Sequence, residues 1–278
     1  MSEAAKVIEH YGDTDLRDKL AAALAAAGLG DKRLTPADLA PLDQFHTRGM
    51  AATIERAEAL AIKPGASVSD IGSGLGGPSR YLAAKFDCTV KGVDLSPAFV
   101  GAASYLAERA GMAGRVSYDC ANALSLPYPD KSFDVAWTQH VAMNIADRVG
   151  LYGEVQRVLQ PGGRFAIYDV VLGTGGPIHF PVPWSRTPDT SFLVTADAMR
   201  AALEKAGFRV TLWNDNTQVA VAWFAEQRKA RAAAPAGPPP ALGLHVVMGA
   251  DFPTLGANLG RNLKEGRVGL IQAIVARS

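Results

Sequence analysis

The residues with the clearest chemical meaning are Asp70-Ile71-Gly72-Ser73-Gly74-Leu75-Gly76-Gly77, an acid just ahead of a glycine-rich turn. Glycines so spaced let the backbone approach a ligand with no Cβ in the way. An acid beside them favours a ligand that carries positive charge. Together they point to a nucleotide-type cofactor bearing a cation.

Taken literally, Gly72, Gly74 and Gly77 also satisfy the dinucleotide pattern G-x-G-x-x-G, and Asp94 lies near the distance where an acid would grip a ribose. Asp70 separates the two readings. A carboxylate at the strand end would face the pyrophosphate of NAD or FAD and repel it, whereas S-adenosylmethionine presents an ammonium and a sulfonium and is attracted. We therefore expect a methyl donor. A nicotinamide-dependent dehydrogenase and a donor-binding subunit without catalysis of its own are the competing classes.

The elements that must position these groups follow from the pattern. Ala66 to Ser69 reads as a short strand and Pro78 to Phe86 as a helix with proline at its first position. Cys88 to Val93 is a second strand ending at Asp94, whose two oxygens can accept from both hydroxyls of a ribose. The competing role for Asp94 is a helix cap, which Ser96 followed by Pro97 supplies better. Arg115 to Asp119 forms a third strand, followed by Ala121-Asn122-Ala123, where the Asn122 amide oxygen suits an adenine amino group. Phe133 to Trp137 is the fourth strand and opens into Thr138-Gln139-His140; Gln139 joins the cofactor set. A helix from about Asp147 to Gln160 stops at Pro161-Gly162-Gly163, and a fifth strand, Arg164 to Val170, leaves Asp169 near its carboxyl end.

In the order D-x-G-S-G-x-G-G, G-V-D, L-P-x-P-D-x-S-F-D and L-x-P-G-G before a strand, residues 51–168 resemble the class I S-adenosylmethionine-dependent methyltransferases. Within them the chain is similar to the small-molecule branch of sarcosine and dimethylglycine, tocopherol and quinone methyltransferases. The resemblance implies that Gly72, Ser73, Gly74 and Gly76 line the methionyl and ribose part of the cofactor. It places Asp94 and Leu95 on ribose and adenine, and Asn122 with Ala123 on the adenine edge. Relatives commonly have aspartate where Asn122 stands, and asparagine keeps the acceptor but loses the charge. The implied fold is α/β, a doubly wound Rossmann-like seven-stranded sheet with helical N-terminal additions and an inserted substrate lid.

A chain of 278 residues suits one such domain: residues 1–60 as a helical cap, 61–171 as the cofactor-binding core, and 172–278 as the lid and the rest of the sheet. Val7 to Gly28 and Leu39 to Leu60 are expected as helices, the second with the turn Asp43 to His46 near its start. Tyr11 and His46 are lid candidates or ordinary packing residues. Gly173 to Trp184 is too rich in proline and glycine for regular structure and too apolar for a solvated loop, so it is expected over the substrate chamber. Phe180 and Trp184, with Trp213 and Trp223, offer aromatic faces for an amine or an apolar ring, or serve in packing. Thr195 to Ala206 is expected as a helix, Phe208 to Trp213 as a strand, Asp215 to Ala234 and Gly243 to Lys264 as helices, and Arg267 to Ala276 as a closing antiparallel strand.

With 28 basic against 27 acidic residues the chain has no footprint for a phosphate backbone, so a small-molecule substrate is expected over nucleic acid. Cys88 and Cys120 are too few for a disulfide framework or a zinc site, and no metal is expected. Neither a signal pattern nor an apolar run long enough for a bilayer is evident, which points to the cytoplasm and away from membranes. The chemistry would be in-line methyl displacement, in which positioning does most of the work. An amine nitrogen is the first expectation for the acceptor, with oxygen and carbon next. His140 is the candidate base, at the mouth of the presumed pocket and of a type that titrates near neutral pH, or else holds the turn that follows it.

Overall fold

The computed structural model describes residues 15–233 and 237–278, so Tyr11 lies outside the described residues. Its helices and strands run α1 (Leu16–Ala26), α2 (Pro36–Asp43), α3 (Gly49–Leu60), β1 (Ser67–Ile71), α4 (Gly77–Phe86), β2 (Thr89–Asp94) and α5 (Pro97–Arg109). They continue with β3 (Val116–Cys120), β4 (Phe133–Gln139), α6 (Arg148–Val158), β5 (Leu159–Leu172), α7 (Ala196–Lys205) and β6 (Phe208–Asp215). Last come α8 (Thr217–Ala233), α9 (His245–Met248), α10 (Phe252–Lys264) and β7 (Val268–Arg277).

Seven strands form one sheet in the order β3-β2-β1-β4-β5-β7-β6. The first five are parallel, and β7 runs antiparallel between β5 and β6. The strand order reverses between β1 and β4, and in such sheets the crevice beyond the strand tips at that point is where ligands bind. Alternating side chains divide the core: Phe165 and Ile167 pack with Tyr152 and Leu203 on one face, and Ala166 packs with Trp137 and Leu82 on the other. The doubly wound sheet is the expected fold.

Helix starts are set by the caps visible in the sequence. Thr35 and Asp38 form a reciprocal capping box ahead of Pro36, and Ser96, Asp147 and Thr195 each accept from a backbone N–H in the first turn of α5, α6 and α7. The turn expected near the start of Leu39 to Leu60 is present and divides that stretch into α2 and α3, the chain bending between Gln44 and Arg48, the latter at φ 69°. Buried polar groups hold that turn: Thr53 Oγ1 donates to Gln44 Oε1 at 2.8 Å and lies 3.0 Å from His46 Nε2. Gly243 to Lys264 is likewise split, with Gly249 at φ 78° between α9 and α10. Strand β5 begins earlier than expected, since Leu159 already pairs with Phe133 ahead of an irregularity in the register.

The glycine turn shows two uses of the same residue. At Gly74, φ is 52° and a Cβ would project into open space. At Gly76, φ is 73° and a Cβ would overlap the Tyr118 hydroxyl. Gly76→Ala is therefore expected to lower the unfolding free energy by about 2–4 kcal/mol, a left-handed penalty plus overpacking. A urea midpoint unchanged from the parent would contradict this.

Among the described residues no helix is long and apolar enough to cross a membrane.

Candidate active site

A cavity of about 420 Å³ opens beyond the tips of β1, β2 and β4, within the size range of small-molecule sites. Its floor at one end is the glycine turn, pinned because Gly72 N and Ser73 N both donate to Val93 O at the end of β2. Of the residues expected to touch cofactor, Asp70, Gly72, Ser73, Gly74, Asp94, Leu95, Asn122, Ala123 and Gln139 all line this cavity, as does His140. Gly76 is not among the lining residues; it is buried beside Tyr118, whose hydroxyl a Cβ there would overlap.

Acids concentrate at this end. Asp70 is buried and accepts from Ser79 Oγ at 2.5 Å. Burial pushes its carboxyl up to about 7, with the neighbouring Asp94 adding to the rise. Asp94 accepts from Gly74 N and from Ser96 N, both at 2.9 Å, so its two oxygens are aimed by backbone on either side. Burial raises it too. A third acid, Asp43, was read from the sequence only as part of a turn. It lines the cavity while Arg80 Nη2 donates to it at 2.7 Å, and burial still holds it up at about 6. Nothing local in the sequence marks Asp43, because the bend after it depends on the Thr53 contacts from the next helix.

Two side chains are partly spoken for. The Asn122 amide oxygen accepts from Leu124 N at 2.9 Å, leaving one lone pair for a ligand. Gln139 accepts from Trp137 Nε1 at 2.8 Å and donates to Thr53 Oγ1 at 3.3 Å. Ser73 Oγ is buried without a hydrogen-bond partner among the described residues, an acceptor and donor left over at the glycine turn.

The other end is different in character. His46, His140, Met143, Ile145, Pro183 and Trp184 line it. His140 sits at φ 53°, an uncommon conformation for a side chain of its size. It is held there by His140 N donating to Tyr168 O at 2.7 Å, while Asp169 accepts from Val141 N at 2.9 Å. The histidine does not titrate near neutral pH as expected. Burial, with the charge of Arg56 behind it, pulls its imidazole down to about 3. His46 is also held well below the usual range, by burial first and Arg56 next. Both rings are therefore neutral at pH 7.

Of the four aromatic residues offered for the substrate chamber, only Trp184 lines the cavity. Phe180 packs among Met143, Val182 and Leu259, Trp213 lies under Arg200, and Trp223 packs edge-on to Phe224. The apolar loop 177–184 does reach the cavity, through Pro183 and Trp184.

Residues 69–167 match the protein family described as "Methyltransferase domain". Over 135 residues the chain is 38% identical to "Methyltransferase GfsG" of Streptomyces halstedii, covering 49% of each chain. Over 124 residues it is 39% identical to "Phosphoethanolamine N-methyltransferase 1" of Arabidopsis thaliana, covering 44% of this chain and 25% of that one. The chain thus spans half or less of the length of these relatives. Among solved structures, geranyl diphosphate C-methyltransferase from Streptomyces coelicolor A3(2) superposes with a TM-score of 0.72 at 16% identity, over 100% of this chain and 99% of that one, a likeness of fold.

Proposed function

We propose that this chain, which belongs to the class I S-adenosylmethionine-dependent methyltransferases, transfers a methyl group from S-adenosylmethionine to a small-molecule acceptor held in the cavity. The observation that carries this reading is the charge layout around the glycine turn: Asp70 and Asp94 face one end of a cavity whose floor is bare backbone, beside Asp43, which is paired with Arg80. Buried acids with raised pKa values gain from a cation that stabilises their ionised form. A pyrophosphate in the same place would meet Asp70 and Asp94, which weighs against the nicotinamide reading.

In this assignment Asp94 accepts from the ribose hydroxyls. Leu95, Ala123 and the free lone pair of Asn122 meet the adenine. The bare turn Gly72-Ser73-Gly74 lies along the methionyl part, with Asp70 beneath, Ser73 Oγ filling its empty hydrogen bond, and Gln139 closing the side. When bound, the donor supplies an electrophilic methyl group on a sulfonium. What the protein adds is alignment of a nucleophile behind that methyl and exclusion of water, and orientation of this kind can account for most of the rate. At pH 7 the neutral His140 ring positions the acceptor, and a group so weakly basic is a poor store for a proton.

The acceptor is the finer question. An amine nitrogen, the sequence's first expectation, must arrive with its lone pair free. As an ammonium it would want carboxylates or an aromatic cage; the cavity offers the acids of the glycine turn and the aromatic rings of Phe45, Phe99 and Trp184.

The test is direct. Purified protein with S-adenosylmethionine and a panel of amines, phenols, enols and carboxylates is expected to release S-adenosylhomocysteine with at least one acceptor class and none without acceptor. Donor binding with no product from any member would leave a donor-binding subunit as the better account.

A further inference from the structure

Behind the acceptor end of the cavity lies an arrangement the donor site does not explain. Arg56, on α3, is 1% exposed, and all three of its guanidinium nitrogens lack a hydrogen-bond partner among the described residues. Buried charges are normally paired, because stranding one is costly. This one is sandwiched instead: its guanidinium carbon is 4.2 Å from the centre of the Tyr168 ring and 5.0 Å from that of Trp137. The Tyr168 ring in turn packs on the cavity wall, 5.3 Å from His140 and 6.2 Å from His46 between centroids. A cation without a hydrogen-bond partner among the described residues therefore stands one ring behind the two histidines.

The acids near it offset it only in part. Glu55 is paired with Arg48 at 2.8 Å. On β5, Asp169 turns its oxygens to the backbone N–H groups of Val141 and Ala142 and attracts Arg148 of α6 more than Arg56. The acids that line the cavity all sit around the glycine turn, on the donor side. The cavity is thus negative at the donor end and positive behind the acceptor end. Its positive field is already felt by the protein's own groups, since Arg56 lowers both imidazoles.

Resting on the methyl-transfer reading above, we infer that the acceptor is an acidic hydroxyl, a phenol or enol on an apolar skeleton, bound as its oxyanion, and that Arg56 selects it against ammonium compounds. The hydroxyl proton goes to solvent as the oxyanion binds. The oxygen lone pair then forms the bond to the methyl carbon while the carbon–sulfur bond breaks with its electrons on sulfur, leaving an ether and a neutral thioether. No side chain needs to hold a proton during transfer, which suits two histidines that stay neutral. Met143, Ile145, Pro183 and Trp184 take the apolar skeleton. Arg56 acts through the Tyr168 and histidine layer and is a positioning and selecting residue.

The experiment uses the whole chain saturated with S-adenosylhomocysteine and two probes of similar size, 4-nitrophenol and benzylamine, titrated by calorimetry and by the absorbance change of nitrophenol on ionisation. The expected result is 4-nitrophenolate binding at least about tenfold tighter than benzylammonium, with the bound phenol ionising at lower pH than the free one. Arg56→Met removes a buried unpaired charge, a change proteins tolerate well, and should erase both the preference and the shift in ionisation. Arg56→Lys should restore part of each. Equal or tighter binding of benzylammonium, binding of neither probe, or a bound phenol that ionises no earlier than the free one would overturn the inference. Failure of S-adenosylhomocysteine itself to bind is a separate outcome, and it would overturn the donor assignment before the acceptor is tested.

Discussion

Asp43→Ala is expected to lower the unfolding free energy by about 3–5 kcal/mol, the size seen when one member of a buried ion pair is removed. The partner, Arg80, is wholly buried on α4, and Asp43 accepts from its Nη2 at 2.7 Å. Its remaining contacts, to Ala103 O and the Tyr118 hydroxyl, are both at 3.4 Å and cannot replace a carboxylate. The pair also fastens α2 to α4, so the loss should loosen the N-terminal helices over the cavity. Urea unfolding checks the stability, and the double variant Asp43→Ala/Arg80→Met should recover most of it, because no charge is then stranded. A single variant as stable as the parent would show that Arg80 finds another partner.

Asp94→Ala is expected to weaken binding of S-adenosylhomocysteine by about 100-fold. Two hydrogen bonds to a charged acceptor contribute roughly 1.5–3 kcal/mol each, and about 2.7 kcal/mol already amounts to a factor of one hundred. Part of the effect is structural, since the carboxylate also accepts from Gly74 N and Ser96 N and so ties the glycine turn to the start of α5. Thermal unfolding of the ligand-free variant separates the two contributions. If affinity falls no more than the small loss in stability explains, the ribose role is wrong.

Much of the cofactor half was legible because its logic is local. An acid, a glycine turn, a proline-started helix and an acid at the next strand end are all read in a continuous stretch, and the parallel strands between them follow from apolar runs bounded by turns. The limits show where packing decides. Gly76 belongs to the same motif as Gly74, yet a Cβ there would overlap the Tyr118 ring, and only the third strand's position reveals that. The turn at Asp43 to His46 is legible near the start of its stretch, but that it carries Asp43, Phe45 and His46 to the cavity wall depends on the Thr53 contacts from the next helix.

The acceptor half was harder still. Arg56 sits in a helix among alanines and glutamates and looks like a solvated surface residue; its burial exists only because Trp137 and Tyr168 from two other strands close around it. His140 lines the cavity, but its titration depends on burial and on that same arginine, which sequence spacing does not connect to it. Aromatic residues were counted by type, and three of the four turned out to be spent in packing.

The central claim is that this cavity takes a cationic adenosyl donor at its acidic end, and calorimetric titration at pH 7 tests it most directly. Asp70 is close to half protonated there, because burial holds its carboxyl at about 7. A bound cation favours the ionised form, so the complex holds fewer protons than the free protein. The account predicts saturable binding of S-adenosylmethionine with net proton release, read from two buffers of different ionisation enthalpy, an affinity that climbs from pH 6 to pH 8, and no binding of NADH. Tight NADH binding with no heat from S-adenosylmethionine would contradict it.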